Sequence, residues 1–153
     1  MREDTQQRMT IAASPEVCYA KALDYEAYPN WAADIKDAKI VVRDDDNRGG
    51  EVEYRAAAMG RSTTYRLRYN YGSNPLRVSW RLVDGDLMRA LDGQYVFEPV
   101  PGDPESCEVS YELSVELIVP LPGFVKRRAE TKIIHTALDD LKQHVEGVPQ
   151  PSE

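Results

Sequence analysis

Residues 120–147 limit the possible folds of this chain more than any other segment. They form the one stretch long enough for an extended helix, and they follow a nearly unbroken run of predicted strands. Such a helix must bury its apolar stripe, and the inner face of those strands is the large apolar surface available. We therefore predict an α+β fold in which one long helix lies across one curved sheet, with room for a cavity. The stripe consists of Phe124, Ile133, Ile134, Ala137, Leu138, Leu141 and Val145.

Composition limits the partners and the compartment. With 153 residues the chain has the length of one ordinary domain, which we assign to residues 1–147, followed by a disordered tail at 148–153. The 19 basic and 26 acidic residues give a net charge of -7, which disfavours nucleic-acid binding. No secretory signal and no apolar run of roughly 20 residues is present, so we expect a cytoplasmic protein. Cys18 and Cys107 lack the spacing of zinc or redox sites, which favours buried free thiols.

The first third of the chain predicts one strand and two short helices. Thr5–Ile11 has the pattern of a strand. Residues 14–16, Ser-Pro-Glu, then supply an N-cap hydroxyl, a proline at the first helical position and an early carboxylate. The resulting helix should run to about Leu23. Because Pro29 disfavours helix at the residue before it, we predict a turn there, followed by a second helix around residues 31–33.

From Ile35 onward the apolar period changes to two residues, which predicts strands. Turn sequences divide this region into six pieces, and the connections are too short for parallel crossovers. We therefore predict an antiparallel meander, which with the first strand makes a seven-stranded sheet in the order β-α-α-β6-α. The turns lie at residues 44–50, 59–61, 72–75, 84–86 and 99–105.

The alternation assigns the aromatic side chains to the inner face of the sheet. The chain has 9 tyrosines against 2 phenylalanines, and a pocket with several tyrosine hydroxyls suits a ligand that carries oxygen. The alternative is that these tyrosines fill the core and their hydroxyls reach water at the ends of the sheet. The predicted lining is Tyr54, Tyr65, Tyr69, Trp80, Tyr95 and Tyr111, with Leu67, Phe97 and Leu113 deeper and Phe124 near the mouth.

Candidate catalytic and metal-binding residues are few. His135 and His144 stand nine positions apart on the last helix and face different directions, so they cannot share a metal. Asp34 and Asp92 lie at bends, where we expect turn roles, with an inward orientation as the alternative. We predict no catalytic residue, no metal and no cofactor. The alternation places Glu51, Glu53, Glu112 and Glu116 on the charged outer face.

A basic cluster follows an apolar segment at the start of the long helix. Lys126, Arg127 and Arg128 lie where the helix dipole disfavours positive charge, next to Leu121 and Phe124. This arrangement predicts transient contact with an anionic membrane. The alternative is that the cluster forms ion pairs with Glu130 or other acidic neighbours.

Four short stretches resemble the START-like superfamily, also called the SRPBCC or polyketide cyclase/dehydrase and lipid-transport group. They are Ile-Ala-Ala-Ser-Pro-Glu-Val at residues 11–17, Tyr-Glu-Ala-Tyr-Pro-Asn-Trp at 25–31, Leu-Asp-Gly-Gln-Tyr-Val-Phe at 91–97 and Val-Pro-Leu-Pro-Gly-Phe at 119–124. The resemblance covers nearly the whole chain. It implies the helix-grip fold, with a cavity roofed by the short early helices and by the loop before the last helix.

Three functions are compatible with these sequence features. The first is a noncatalytic carrier or sensor of an apolar small molecule, aromatic or isoprenoid, acting as a monomer or homodimer. The second is an enzyme of the cyclase/aromatase type that uses the same cavity, and the third is a protein-interaction module. Acid or base groups pointing into the cavity would favour the enzyme, and a filled interior would favour the interaction module.

Overall fold

One antiparallel sheet and three helical segments make up the computed structural model, which describes residues 5–58, 61–118 and 122–147. The predicted order of elements is confirmed. The strands are β1 (Thr5–Ile11), β2 (Ile35–Arg43), β3 (Gly49–Ala58), β4 (Arg61–Ser73), β5 (Leu76–Gly85), β6 (Met88–Val100) and β7 (Asp103–Leu117). The helices are α1 (Pro15–Ala22), a 3₁₀ helix (Tyr25–Asn30) and α2 (Gly123–Glu146).

The sheet is a meander in which β1 returns to pair with the last strand. Its order is β1-β7-β6-β5-β4-β3-β2, and every neighbouring pair is antiparallel. On the outer face, Arg68 and Glu51 form an ion pair at 3.0 Å, and Arg66 and Glu53 form one at 3.4 Å. Glu51 and Glu53 thus lie on the outer face, as the alternation predicts, so the inner face is left to the apolar and aromatic side chains.

Local signals fix the start of α1. The Oγ of Ser14 accepts a hydrogen bond from the backbone N–H of Val17 at 3.3 Å, as an N-cap does, and Pro15 occupies the first turn. Cys18 and Ala22 are buried, and the Cys18 thiol is free, as predicted. The helix therefore docks through small side chains, which brings its backbone close to the sheet.

The second short helix lies earlier than the sequence predicts. The prediction places it at residues 31–33, whereas the structure has a 3₁₀ helix at Tyr25–Asn30 that contains Pro29. A six-residue 3₁₀ helix needs few backbone donors, so the missing N–H of one proline is tolerated. The backbone N–H groups of Trp31 and Ala32 both bond to the carbonyl of Tyr28, at 3.1 and 2.7 Å. This turn places Trp31 against His144 of α2.

Two adjacent stripes run along α2. Glu130, Ile134, Leu138 and Leu141 are buried, and the helix packs on β1, β7 and α1. The second stripe, which includes Ile133 and Ala137, is partly exposed and faces the cavity described below. The helix ends at Gly147, whose φ of 68° suits a glycine after a helix. The predicted tail at 148–153 and the turn residues 59 and 60 lie outside the described part of the chain.

Membrane crossing by a helix has no support in the part of the chain that the structure covers. Within residues 5–58, 61–118 and 122–147, no helix combines the length and the apolar character that a transmembrane span requires.

Candidate functional site

A cavity of about 140 Å³ lies between the inner face of the sheet and α2. The 3₁₀ helix and residues 31–35 close it on a third side. An engineered apolar cavity of about 150 Å³ in another protein binds benzene, so this volume suits a compound with one ring.

The wall of the cavity contains seven of the ten side chains proposed from the sequence. The three others are placed elsewhere. Phe97 lies under α1, where its ring contacts that of Tyr19 at 5.7 Å, and Leu113 is buried in the core on β7. Phe124 is 64% exposed at the start of α2 and is not among the residues that line the cavity. The seven that line the cavity are Tyr54, Tyr65, Leu67, Tyr69, Trp80, Tyr95 and Tyr111.

Gly93 explains how Trp80 can lie in this wall. The two residues pair across β5 and β6. A Cβ at position 93 would lie 2.5 Å from the carbonyl oxygen of Glu112 and 2.8 Å from Cζ2 of Trp80. A side chain there would therefore push the indole away from the sheet, and glycine lets it pack directly on β6. The tryptophan then contacts the rings of Tyr95 and Tyr111, at 5.4 and 5.5 Å.

The hydroxyls of the five wall tyrosines that the sequence predicts fall into two groups. Those of Tyr54 and Tyr69 are 2.6 Å apart and bond to each other. No hydrogen bond joins the hydroxyls of Tyr65, Tyr95 or Tyr111 to any group in residues 5–58, 61–118 and 122–147. Burial raises the pKa of all three well above that of an exposed tyrosine, so they are neutral donors. They can donate to, or accept from, a polar atom of a bound molecule.

Asp140 supplies a carboxyl group to the roof of the cavity. Its Oδ2 accepts a hydrogen bond from the backbone N–H of Ala33 at 2.9 Å, which ties α2 to the segment after the 3₁₀ helix. Burial raises the pKa of this carboxyl, although the bond to Ala33 acts in the opposite direction. A raised pKa lets this carboxyl keep its proton at higher pH than an exposed aspartate, which is the direction that a role as an acid or a base requires.

Several lining residues are absent from the sequence-based proposal. Tyr25, Tyr28 and Trp31 come from the aromatic stretch around the 3₁₀ helix, and Thr136 and Asp140 come from α2. A helical period reveals the last two, since positions 133, 136, 137 and 140 follow the spacing i, i+3, i+4, i+7. The polar side chains at 136 and 140 lie in the same stripe as Ile133 and Ala137.

The other titratable candidates lie in different places. Asp34 lines the cavity, whereas the sequence favours a turn role for it. Asp92 accepts a hydrogen bond from the backbone N–H of Leu82 at 3.0 Å, which holds β5 to β6. His135 is exposed, and His144 stacks on Trp31 with ring centroids 4.8 Å apart.

In the three described ranges, no cluster of three or more histidine, cysteine or acidic side chains could hold a metal. The lack of a cofactor stays a prediction.

The basic cluster of α2 is partly engaged in the fold. Lys126 donates to Oε2 of the buried Glu130 at 2.7 Å, which is the ion-pair alternative considered from the sequence. Arg127 and Arg128 are exposed, as is Phe124. Leu121, the other apolar residue of the predicted membrane contact, lies outside the described residues. Membrane contact at this end of α2 therefore stays a prediction.

Comparison with known protein families gives a match over nearly the whole chain. The sequence model of the family described as "Polyketide cyclase / dehydrase and lipid transport" matches residues 2–146. No curated protein matches the sequence.

Solved structures show the same fold at low sequence identity. A START superfamily protein from Mycobacterium smegmatis is 24% identical, with a TM-score of 0.89 over 95% of this chain and 99% of that one. An aromatase/cyclase from Streptomyces sp. R1128 is 12% identical, with a TM-score of 0.78 over 95% and 94% of the two chains. A STAR-related lipid transfer protein from Xanthomonas axonopodis is 15% identical, with a TM-score of 0.71 over 93% and 85%. The predicted helix-grip fold is confirmed.

Proposed function

Because this chain belongs to the polyketide cyclase/dehydrase and lipid transport family, we propose that it binds an apolar small molecule between its sheet and α2. We further propose that the molecule contains one aromatic ring with an oxygen substituent. The observation that carries this proposal is the cavity of about 140 Å³, whose lining includes three tyrosines with hydroxyls that have no hydrogen-bond partner in the described residues. The same observation counts against the protein-interaction alternative, which requires a filled interior.

The shape and chemistry of the wall support a ring over a chain. Aromatic side chains surround the cavity, and they pack favourably on a flat ring. A ligand oxygen that bonds to the Tyr111 hydroxyl gains one hydrogen bond, which contributes about 0.5–1.5 kcal/mol. An unsubstituted hydrocarbon ring would leave all three hydroxyls unpaired. The proposed role is that of a carrier or sensor, which releases its ligand chemically unchanged.

We expect p-cresol to bind more tightly than toluene, which has the same ring but no hydroxyl. The change Tyr111→Phe should weaken p-cresol binding by about 1 kcal/mol, roughly fivefold, and leave toluene binding as it was. Calorimetric titration measures both. Both tryptophans of the chain, Trp31 and Trp80, line the cavity, so quenching of their fluorescence gives an independent reading.

Tyr71→Phe provides the matched control for Tyr111→Phe. The Tyr71 hydroxyl lies outside the cavity lining, donates to the carbonyl of Gly49 at 2.6 Å and bonds to the hydroxyl of Tyr25 at 2.8 Å. Its loss should lower stability without changing the preference for p-cresol over toluene. Equal binding of the two compounds to the unaltered protein would show that the tyrosine hydroxyls do not select the ligand.

An enzyme of the cyclase/aromatase type is the second candidate, and Asp140 is the observation that favours it. Its carboxyl lines the cavity, and burial raises its pKa, as an acid–base role requires.

Native mass spectrometry of the protein from its own host can identify a copurified compound. Under the carrier proposal we expect that compound to be recovered unchanged after incubation. Under the enzymatic alternative it is converted, and Asp140→Asn stops the conversion while the compound still binds.

A further inference from the structure

A polar groove of about 440 Å³ adjoins the cavity on its outer side. The two spaces share Trp31, Ala32, Ala33, Ile35 and Asp140 as lining, so they meet at the segment after the 3₁₀ helix. The groove is further lined by Pro29, Asn30, Lys36, Gln143 and His144. Its lining is polar where that of the cavity is aromatic. We call this space the outer groove.

Two residues that line the outer groove each carry a buried polar atom without a hydrogen-bond partner. These atoms are Nε1 of Trp31 and Oε1 of Gln143, neither of which bonds to any group in the described ranges. Leaving such an atom unpaired costs about 1–3 kcal/mol, and buried polar groups in native proteins are paired as a rule. Both residues line one groove, so a group bound there can satisfy both atoms once their side chains turn towards it.

The indole of Trp31 is held in place from two sides. It stacks on His144 with an interplanar angle of 3°, and its edge meets the ring of Tyr28 at 4.9 Å. Burial and the nearby Lys21 lower the pKa of His144, so this ring is neutral at pH 7. The indole N–H is therefore a fixed donor beside an uncharged ring.

The charges around the outer groove favour a neutral partner. Its lining contains one base, Lys36, and one acid, Asp140, in addition to the neutral His144. An anion in the groove would gain from Lys36 and be repelled by Asp140. A neutral amide instead offers a carbonyl oxygen to the indole N–H and an N–H to the Gln143 carboxamide. A 180° rotation of the Gln143 carboxamide exchanges its oxygen and nitrogen, so this side chain can also donate a hydrogen bond to a carbonyl or hydroxyl oxygen of the ligand.

We infer that the ligand is amphipathic, with a ring in the cavity and a neutral arm, bearing an amide or hydroxyl group, that bonds to Trp31 and Gln143 in the outer groove. This inference rests on the proposed function, since it extends the ligand from the same cavity. The shared lining residues place the start of the arm beside Ala33 and Asp140. Burial of the ring then supplies most of the apolar contact, and the hydrogen bonds of the arm fix the orientation of the ligand.

Three phenols test the inference on the full chain. They are p-cresol, N-acetyltyramine, which adds an arm with an amide, and 4-pentylphenol, whose arm has the same length without polar atoms. We expect Gln143→Met to weaken N-acetyltyramine binding roughly fivefold and to leave p-cresol and 4-pentylphenol within about twofold. Trp31→Phe removes the indole N–H and retains a ring against His144, so it should weaken N-acetyltyramine more than 4-pentylphenol. Circular dichroism and thermal unfolding verify that both variants fold.

The outcomes separate this inference from the proposed function. Suppose that p-cresol binds, but that Gln143→Met changes the affinities for N-acetyltyramine and 4-pentylphenol equally or changes neither. The proposed arm is then wrong, whereas the proposed ring site is still supported. If none of the three phenols binds, both proposals are wrong. Stronger binding of 3-(4-hydroxyphenyl)propanoate that is lost in Lys36→Met would overturn the neutral arm in favour of an anionic one. A selective loss for N-acetyltyramine in both variants supports the arm.

Discussion

Replacing Trp80 with alanine is expected to lower the free energy of unfolding by about 3–5 kcal/mol and to change which ligand the cavity prefers. The side chain is 6% exposed, and its ring meets those of Tyr69, Tyr95 and Tyr111 at 6.0, 5.4 and 5.5 Å. Removal of the indole leaves three rings without their common neighbour and enlarges the cavity. Urea unfolding measures the loss of stability.

The enlarged cavity should admit a second ring. We expect Trp80→Ala to bind 2-naphthol more tightly than p-cresol, whereas the unaltered protein shows the opposite order. The reason is that the variant has space left around a single ring, and a void lacks the contacts that a second ring supplies. Calorimetric titration of both compounds gives the two affinities in each protein.

Arg66→Ala is the control for this prediction, because Arg66 lies on the opposite face of the sheet. Its guanidinium pairs with Glu53 at 3.4 Å, and its side chain is 37% exposed. An exposed pair of this kind contributes about 0–1 kcal/mol, and the cavity does not include it. If Arg66→Ala altered ligand preference and Trp80→Ala did not, the ligand would bind to the outer face.

Replacing Glu130 with alanine is expected to cost about 3–5 kcal/mol, because it leaves a lysine and a backbone donor unpaired. Glu130 is 0% exposed. Its Oε1 accepts from the hydroxyl of Thr5 at 2.7 Å. Its Oε2 accepts from the backbone N–H of Val115 at 2.8 Å and from Lys126 at 2.7 Å. One carboxylate thereby joins α2 to β1 and β7.

Glu116→Ala tests whether the loss is specific to the buried carboxylate. Glu116 lies on β7 close to Val115 but is exposed, so its removal should change stability by no more than about 0.5 kcal/mol. Glu130→Gln retains the shape and part of the hydrogen bonding, and it should fall between the two. Urea unfolding of all three variants measures the change in the free energy of unfolding. A loss below about 1 kcal/mol in Glu130→Ala would mean that the carboxylate does not hold α2 on the sheet.

Glu130 also shows where a sequence pattern misses a structural role. The apolar stripe of α2 predicts which face is buried, and Ile134, Leu138 and Leu141 are buried as that stripe requires. A glutamate at position 130 offers no such signal, since acidic residues on helices are mostly exposed. Its burial depends on Thr5 and Val115, which are distant in sequence and meet it only in the folded chain.

Residue periodicity alone determined the strands, the long helix and the inner position of the seven wall residues, because a side chain's face follows from its place along the strand. Tertiary structure alone decided which inner residues reach the cavity. Phe97 shares a face with Tyr95, but α1 covers Phe97 and leaves Tyr95 open to the cavity. Asp140 and Trp31 meet there because α2 docks beside the 3₁₀ helix. Periodicity gives the direction of each side chain, and docking of the helices decides what it meets.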